Sequence, residues 1–367
     1  MAGSEAMSPK ERWLAAIAMK PLDRLPFWPK LDAAYPRAQD APFSGMGIAA
    51  IHDWVGSDKH VATPACVKEV RKRTSVKTVT QGDTRTTVYR TPYGEMEMIT
   101  KFDVSSQSWH PVAFPVRTPE DIRQMTDFYS DITVELDESA LERAEAQVKT
   151  IGDDAVTCCN IGKSPLMHWV EFLAGVESAH YLLHDCEADV TALFQAMHRV
   201  ILEKTEIIAA HSPADILYMV ENTSTTLVSP AQYRRYCFGH IRDYGEITRR
   251  AGRMLVLHMC GHLKDLLGDL SALPAEAFEA FTSPTLGNTT LLDGRTGCPD
   301  KCLIGGTNAV LWTRPAEEII ARIEKDLDAL PHHRGVVVTS AGVMPPLCKP
   351  ETIRTVCDWV REYPVRL

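Results

Sequence analysis

"RMLVLHMCGH", residues 253–262, decides how the rest of the chain is read. Met254–Leu257 form an apolar run as long as a buried strand, and the run ends on His258 and Cys260. Residues two apart in a strand point to the same side, so an imidazole and a thiol share one target at the strand's end. Gly261 follows, where a backbone without a Cβ turns sharply.

Similar short apolar runs, each closing on a polar or glycine cluster, recur on both sides of it. They are "DAVTCCNIG" (154–162), "DILYMVEN" (215–222), "AFEAFT" (277–282), "KCLIGGT" (301–307) and "GVVVTSAG" (335–342), with "RLPFWPKL" (24–31) as the first. Helical segments fill the gaps, at roughly 137–150, 176–209, 230–251, 262–270, 315–329 and 350–362, with Ser229-Pro230 and Lys349-Pro350 as starts. "SPKERWLAAIAM" opens the chain's first helix, with Ser8 as N-cap, Pro9 at the first position and Glu11 closing a capping box. Apolar strands alternating with helices mean a parallel sheet covered on both faces.

Seven strands are legible. An eight-stranded (β/α)8 barrel with one short strand unread fits better than an open sheet, because no Gly-x-Gly-x-x-Gly loop follows the first strand. The expected architecture is one barrel domain over 1–367. Within it, 40–116 is an inserted region rich in β-hairpins: a Gly- and Ala-rich part with a helix around "GIAAIHDWV", then "SVKTVTQGDTRTTVYRTPYGEMEMITKF" with Gly-Asp and Tyr-Gly turns.

The net charge is −9, and the basic residues form no run, which argues against nucleic acid and anionic membrane as partners. No apolar run approaches the roughly 20 residues that cross a bilayer. No signal segment opens the chain, so a cytoplasmic protein is expected. "MAGSEA" (1–6) reads as an appended leader, outside the fold argument. The ten cysteines are then expected as reduced thiols, and Cys158, Cys159, Cys186, Cys237 and Cys357 sit among apolar neighbours as core filler.

A barrel carries its chemistry at the carboxyl ends of its strands. The polar and aromatic residues there are Trp28, Asn160, Glu221, Asn222, His258, Cys260, Glu279, Asn308 and the loop 340–348 with Cys348. Zinc takes a tetrahedral shell of nitrogen, sulfur and oxygen. His258, Cys260, Glu279 from the next strand and Cys348 from the last loop make a candidate set. The competing reading is a satisfied rim histidine beside a buried thiol. His262 faces away from Cys260, and "CPDKC" (298–302) falls at the amino end of its strand, the stability face of a barrel.

At these residues the chain resembles the uroporphyrinogen-decarboxylase-like superfamily, and within it the zinc-containing, corrinoid-linked methyltransferases. "ERWLAAIAMKPLDRLPFW" resembles the family's opening, "LVSPAQYRRYCFGHIRDYGEITRRAG" its Ser-Pro-initiated helix, and "LVLHMCGH" its His-x-Cys-Gly zinc strand. "LIGGTNAVLW" and "TSAGVMPPLCKPETIRTV" resemble its later strand end and final loop. The order His-x-Cys…Glu…Cys is also similar to that of cobalamin-independent methionine synthase. Two departures stand out. The Arg-rich motif by which true decarboxylases hold porphyrinogen carboxylates is absent from "PFWPKLDAAYPRAQ", and the usual third zinc cysteine is Val343 here, with Cys348 five residues on.

The resemblance implies a distorted barrel, zinc, and methyl transfer from a small methylated compound, such as an aromatic methyl ether undergoing O-demethylation, to the Co(I) corrinoid of a partner protein. No cobalamin-binding segment is evident in these residues, so the corrinoid is expected on that partner. Glu221 and Asn222 are the candidate catalytic pair, Glu221 as proton donor, although both also suit a helix cap. Trp28, Tyr35, Asn160, Tyr218 and Asn308 are candidate substrate contacts, with core packing or capping as their alternatives. Two other functions stay open: transfer from a methylcobamide to a thiol or to tetrahydrofolate, and a non-catalytic zinc-binding scaffold. A homodimer is likewise open.

Overall fold

The computed structural model describes residues 6–104 and 107–367. Most of the leader, 1–5, lies outside them. Eight parallel strands form a nearly closed barrel: Phe27–Trp28, Lys59–Thr63, Ala155–Gly162, Ile216–Val220, Leu255–His258, Ala277–Phe281, Cys302–Gly305 and Val336–Thr339. From the second strand on, each pairs with the next in chain order, and the eighth pairs with the first, Phe27 opposite Val338. Helices run between them on the outside, as the alternation of apolar strand and amphipathic helix requires.

The first and second strands meet at a seam held by one buried carboxylate. The Asp58 backbone N–H donates to the Phe27 carbonyl at 2.9 Å. The Asp58 side chain accepts from the Phe27 N–H at 2.9 Å and from Arg12 and Arg24 at 2.8–3.0 Å. Arg12 comes from the opening helix, Pro9–Ile17, whose capping box uses Ser8 and Glu11. That helix closes the amino end of the barrel, and its Trp13, Ala16 and Ile17 pack on the interior residues Trp28, Val156, Cys158, Ile216, Tyr218, Val256, Ala277, Cys302, Ile304 and Val337.

The second strand is the one the sequence leaves unread, and it corrects the insertion's boundary. Lys59–Thr63 lies inside the segment assigned to the insertion yet pairs with Ala155–Cys159 in the barrel. Its inward residue is His60, not an aliphatic one. His60 is enclosed by the rings of Trp28 at 4.6 Å, Tyr218 at 5.5 Å and Trp13 at 5.6 Å. The inserted elements start at Val67 and run to Leu136: a two-stranded antiparallel sheet (Val67–Val70 with Thr133–Leu136), a four-stranded meander over 75–113, and the helix Pro119–Ser130.

Two helices expected as single are broken. The segment read as 176–209 is Val176–Asp185 and Glu187–His211, parted at Cys186, and the one read as 230–251 is Pro230–Tyr236 and Phe238–Arg250, parted at Cys237. Among the described residues no helix is long and apolar enough to cross a membrane.

Candidate active site at the barrel mouth

Register places the first two site residues. His258 lies opposite Glu279 on the adjacent parallel strand, so both side chains point the same way, into the mouth. They are in direct contact through His258 Nδ1 and Glu279 Oε2. Tyr218, from the fourth strand, donates its hydroxyl to the same carboxylate. Lys30, two residues beyond Trp28, completes the group: its Nζ is 3.1 Å from each Glu279 oxygen and 3.1 Å from His258 Nδ1.

Charge follows from this geometry. Glu279 is 1% exposed. Burial alone would raise its pKa, but Lys30, His258 and the Tyr218 hydroxyl outweigh it and hold the carboxyl well below the usual range. Burial works against the His258 imidazolium too, yet Glu279 and Cys260 together raise its pKa. Tyr218 is pushed well above the ordinary phenol range, by burial first and then by Glu279. Directly below, burial lowers His60 to about 4, so the layer under the cluster is neutral at pH 7.

Cys260 sits beside this group and faces outward. It is the exposed one among the ten free cysteines. Its thiol lies 3.6 Å from Asn222 Oδ1, and Asn222 Nδ2 donates to Glu171 at 3.2 Å. Lys163 in turn pairs with Glu171 at 2.8 Å. Cys260, His262, Asn222, Glu171 and Leu286 line an open cleft of about 380 Å³. The glycine after Cys260 serves a purpose other than the expected sharp turn. A Cβ on Gly261 would lie 2.1 Å from Ser224 Cβ, so it is close approach to the neighbouring loop that demands glycine.

The remaining sequence candidates divide. Asn160 stands at its strand end and lines a second cavity of about 300 Å³ with Lys163, His168 and Lys204. Trp28 is interior, under the Lys30 ammonium at 5.6 Å. Glu221, expected as a proton donor, is fully buried behind the rim. Its oxygens take the Ser164 N–H at 2.8 Å, the Ser164 hydroxyl and the Cys237 thiol at 3.2 Å, so it ties the third strand's loop to the outer helices. Asn308 is a loop clamp, with Nδ2 on Pro284 O at 2.8 Å and Oδ1 taking the Leu311 N–H at 3.1 Å. Tyr35 is wholly buried and donates to the Cys348 carbonyl at 2.5 Å.

Cys348 corrects the expected metal set. Pro345 and Pro346 stiffen its loop, but the thiol turns into the hydrophobic core and lies 3.9 Å from Lys349 O. Burial alone pushes it up to about 12, so it is a neutral thiol. Cys348→Ala is therefore expected to cost about 1 kcal/mol of stability, as for the loss of a buried methyl-sized group. Turnover should stay at the wild-type level, and a variant of normal stability without activity would restore Cys348 to the site.

These residues do not fit a zinc ion held by His258, Cys260, Glu279 and Cys348. Glu279 and His258 Nδ1 are engaged with each other and with Lys30, and Cys348 is turned away. Among the described residues, no group of three or more His, Cys, Asp and Glu is placed to hold a metal ion. What sequence reasoning missed is Lys30. The signal was present: Trp28 and Lys30 are two apart within the stretch read as the first strand, 24–31, the same spacing that brought out His258 and Cys260.

The chain is similar in fold to a methyltransferase from Methanosarcina mazei, 15% identical, with TM-score 0.60 over 97% of this chain and 98% of that one. A B12-independent methionine synthase from Shewanella sp. W3-18-1 is 10% identical, with TM-score 0.45 over 86% and 85%, too low to carry an argument. At these identities the likeness is one of fold. No curated protein matches the chain. The family model for uroporphyrinogen decarboxylase (URO-D) matches residues 99–363, well over half of the sequence. With that match laid over a barrel whose mouth holds the His258–Glu279 pair, the chain belongs to the uroporphyrinogen decarboxylase (URO-D) family.

Proposed function

We propose that the protein is a methyltransferase that moves a methyl group from a small methyl ether to a corrinoid carried by a partner protein. The observation that carries this reading is the acid cluster of Lys30, His258, Glu279 and Tyr218 at the mouth, set beside an open cleft. Breaking a methyl–oxygen bond leaves charge on the departing oxygen, and a positioned proton donor or cation stabilises it. Lys30 and a protonated His258 are both such groups, and Glu279 holds them in place. The methyltransferase name of the Methanosarcina mazei structure supports the same reaction class.

The corrinoid, when bound, supplies the cobalt that accepts the methyl group. The rim around the mouth suits a docking partner, since Leu286, Val310, Val343 and Leu347 expose apolar side chains on loops that follow the last three strands. Porphyrinogen decarboxylation is disfavoured by the first strand's loop. Its one arginine, Arg37, donates to the Ala33 carbonyl at 3.0 Å on the surface, and no arginine cluster awaits a polycarboxylate there.

The test is incubation with free cob(I)alamin and a panel of methyl ethers, methylamines and methyl thioethers. The expected result is loss of the reduced-corrinoid absorption together with release of a demethylated alcohol or phenol, seen by mass spectrometry. Turnover of none of the panel, with a corrinoid protein also supplied, would sink the assignment.

A further inference from the structure

We propose that the Lys30 ammonium is the resident cation of this centre, facing the His258–Glu279 pair where a divalent metal would have to enter, so that Glu279 is not a metal ligand in the native protein. The proposal concerns the built site and does not depend on which reaction the site performs.

Three observations carry it. First, the Lys30 Nζ is 3.1 Å from both carboxylate oxygens of Glu279 and 3.1 Å from His258 Nδ1, so one positive centre already faces all three donors. Second, His258 Nδ1 and Glu279 Oε2 touch each other directly. Zinc bonds of about 2.0–2.2 Å would hold two such donors roughly 3.4 Å apart across the ion. Third, Lys30 is fixed at its backbone as well as its tip. Its N–H donates to Ser340 Oγ at 3.2 Å, and its carbonyl takes the Met344 N–H at 2.8 Å. The lysine is thus built into the rim by the loop that follows the eighth strand.

Electrostatics gives the consequence. An ammonium and a divalent ion sharing one carboxylate repel each other strongly at such separations, even with an effective dielectric constant of about 20. A metal enters at Glu279 only if Lys30 leaves, and Lys30 leaving would strip the buried carboxylate of one of its two cationic partners. Removing the lysine charge by substitution reverses the balance. The carboxylate then lacks that partner, the imidazole is adjacent, and the Cys260 thiol stands beside it. Nitrogen, oxygen and sulfur together form a set that cobalt or zinc takes readily.

The experiment is a Co2+ titration of the full chain after dialysis against a chelator, read by visible ligand-field absorption and by bound metal per chain. Wild type, Lys30→Met, Glu279→Gln and Lys30→Met/Glu279→Gln are compared, each checked for folding by circular dichroism. Lys30→Gln replaces the methionine variant if that one fails to fold. Lys30→Met is expected to bind Co2+ at least about tenfold more tightly than wild type, from relief of the like-charge repulsion. The gain should vanish in the double variant, and Glu279→Gln alone should leave the wild-type affinity unchanged. No gain in the lysine variant, or a wild-type affinity that falls in Glu279→Gln, would overturn the proposal. Metal affinity is read without turnover, so its failure and a failure of the methyltransferase reading are separate results.

Discussion

Glu279→Ala is expected to destabilise the protein by about 3–5 kcal/mol, because removing one partner of a buried charge cluster leaves the others uncompensated. Lys30 and His258 would then face each other at 3.1 Å without the carboxylate that reconciles them, and the Tyr218 hydroxyl would lose its acceptor. Glu279→Gln keeps the shape and an acceptor oxygen for Tyr218 but not the charge, so its loss should be of the same order. Urea unfolding followed by circular dichroism measures both. Wild-type midpoints in the two variants would show that the cluster does not form.

The pH dependence has a sign that follows from the same contacts. The Glu279 pKa is lowered in the folded protein, so its contribution is present above the unfolded value, about 4.5, and is lost as pH falls through the folded value. The His258 pKa is raised, so its contribution is present below about 6.5 and is lost as pH rises through the folded value. Both are complete only between about pH 4.5 and 6.5, the unfolded-state values. The difference between wild type and Glu279→Ala should be largest in that window. It should shrink above it without vanishing, because the pairing with Lys30 remains.

How much of this was legible in the chain depends on how local each signal is. The capping box at Ser8 and Glu11 and the strand ending at His258 are local, and the structure places both where the pattern does. The second strand was hidden because its inward residue is His60, a polar side chain made acceptable by three aromatic rings brought from elsewhere in the chain. The breaks at Cys186 and Cys237 were hidden for a related reason: no proline marks either one, and the glycine near the second, Gly239, lies inside the helix that follows. At Cys237 the thiol is held by the buried Glu221 at 3.2 Å, a contact between residues 16 apart. Glu221 itself shows the limit of reading a strand end as a rim position. A carboxylate there is chemistry only if it faces the mouth, and this one faces Ser164. The His258–Glu279 pairing, by contrast, follows from strand adjacency alone. The lysine that completes it comes from the far end of the sequence, 228 residues from His258.

Lys30→Met is expected to lower the rate of methyl transfer by about 10²–10⁴-fold, the usual contribution of a positioned proton donor, with KM changed far less. Lys30 is 21% exposed at its side chain while Glu279 beneath it is 1% exposed, so the ammonium is the part of the cluster that a substrate oxygen meets. Two roles for it make different demands. If it only supplies positive charge, Lys30→Arg should recover most of the rate, because guanidinium keeps the charge beside Glu279. If it delivers a proton to the departing oxygen, Lys30→Arg should recover the unfolding midpoint but not the rate, since guanidinium gives up its proton far less readily. His258 is the competing donor, and its raised pKa sets the contrast: turnover that depends on its imidazolium should fall as pH rises through that value in wild type. A Lys30→Met enzyme with unchanged turnover and the wild-type pH profile would remove the lysine from the chemistry and leave His258 as the acid. Its rate would then rest on the Glu279 contact that holds the imidazolium in place.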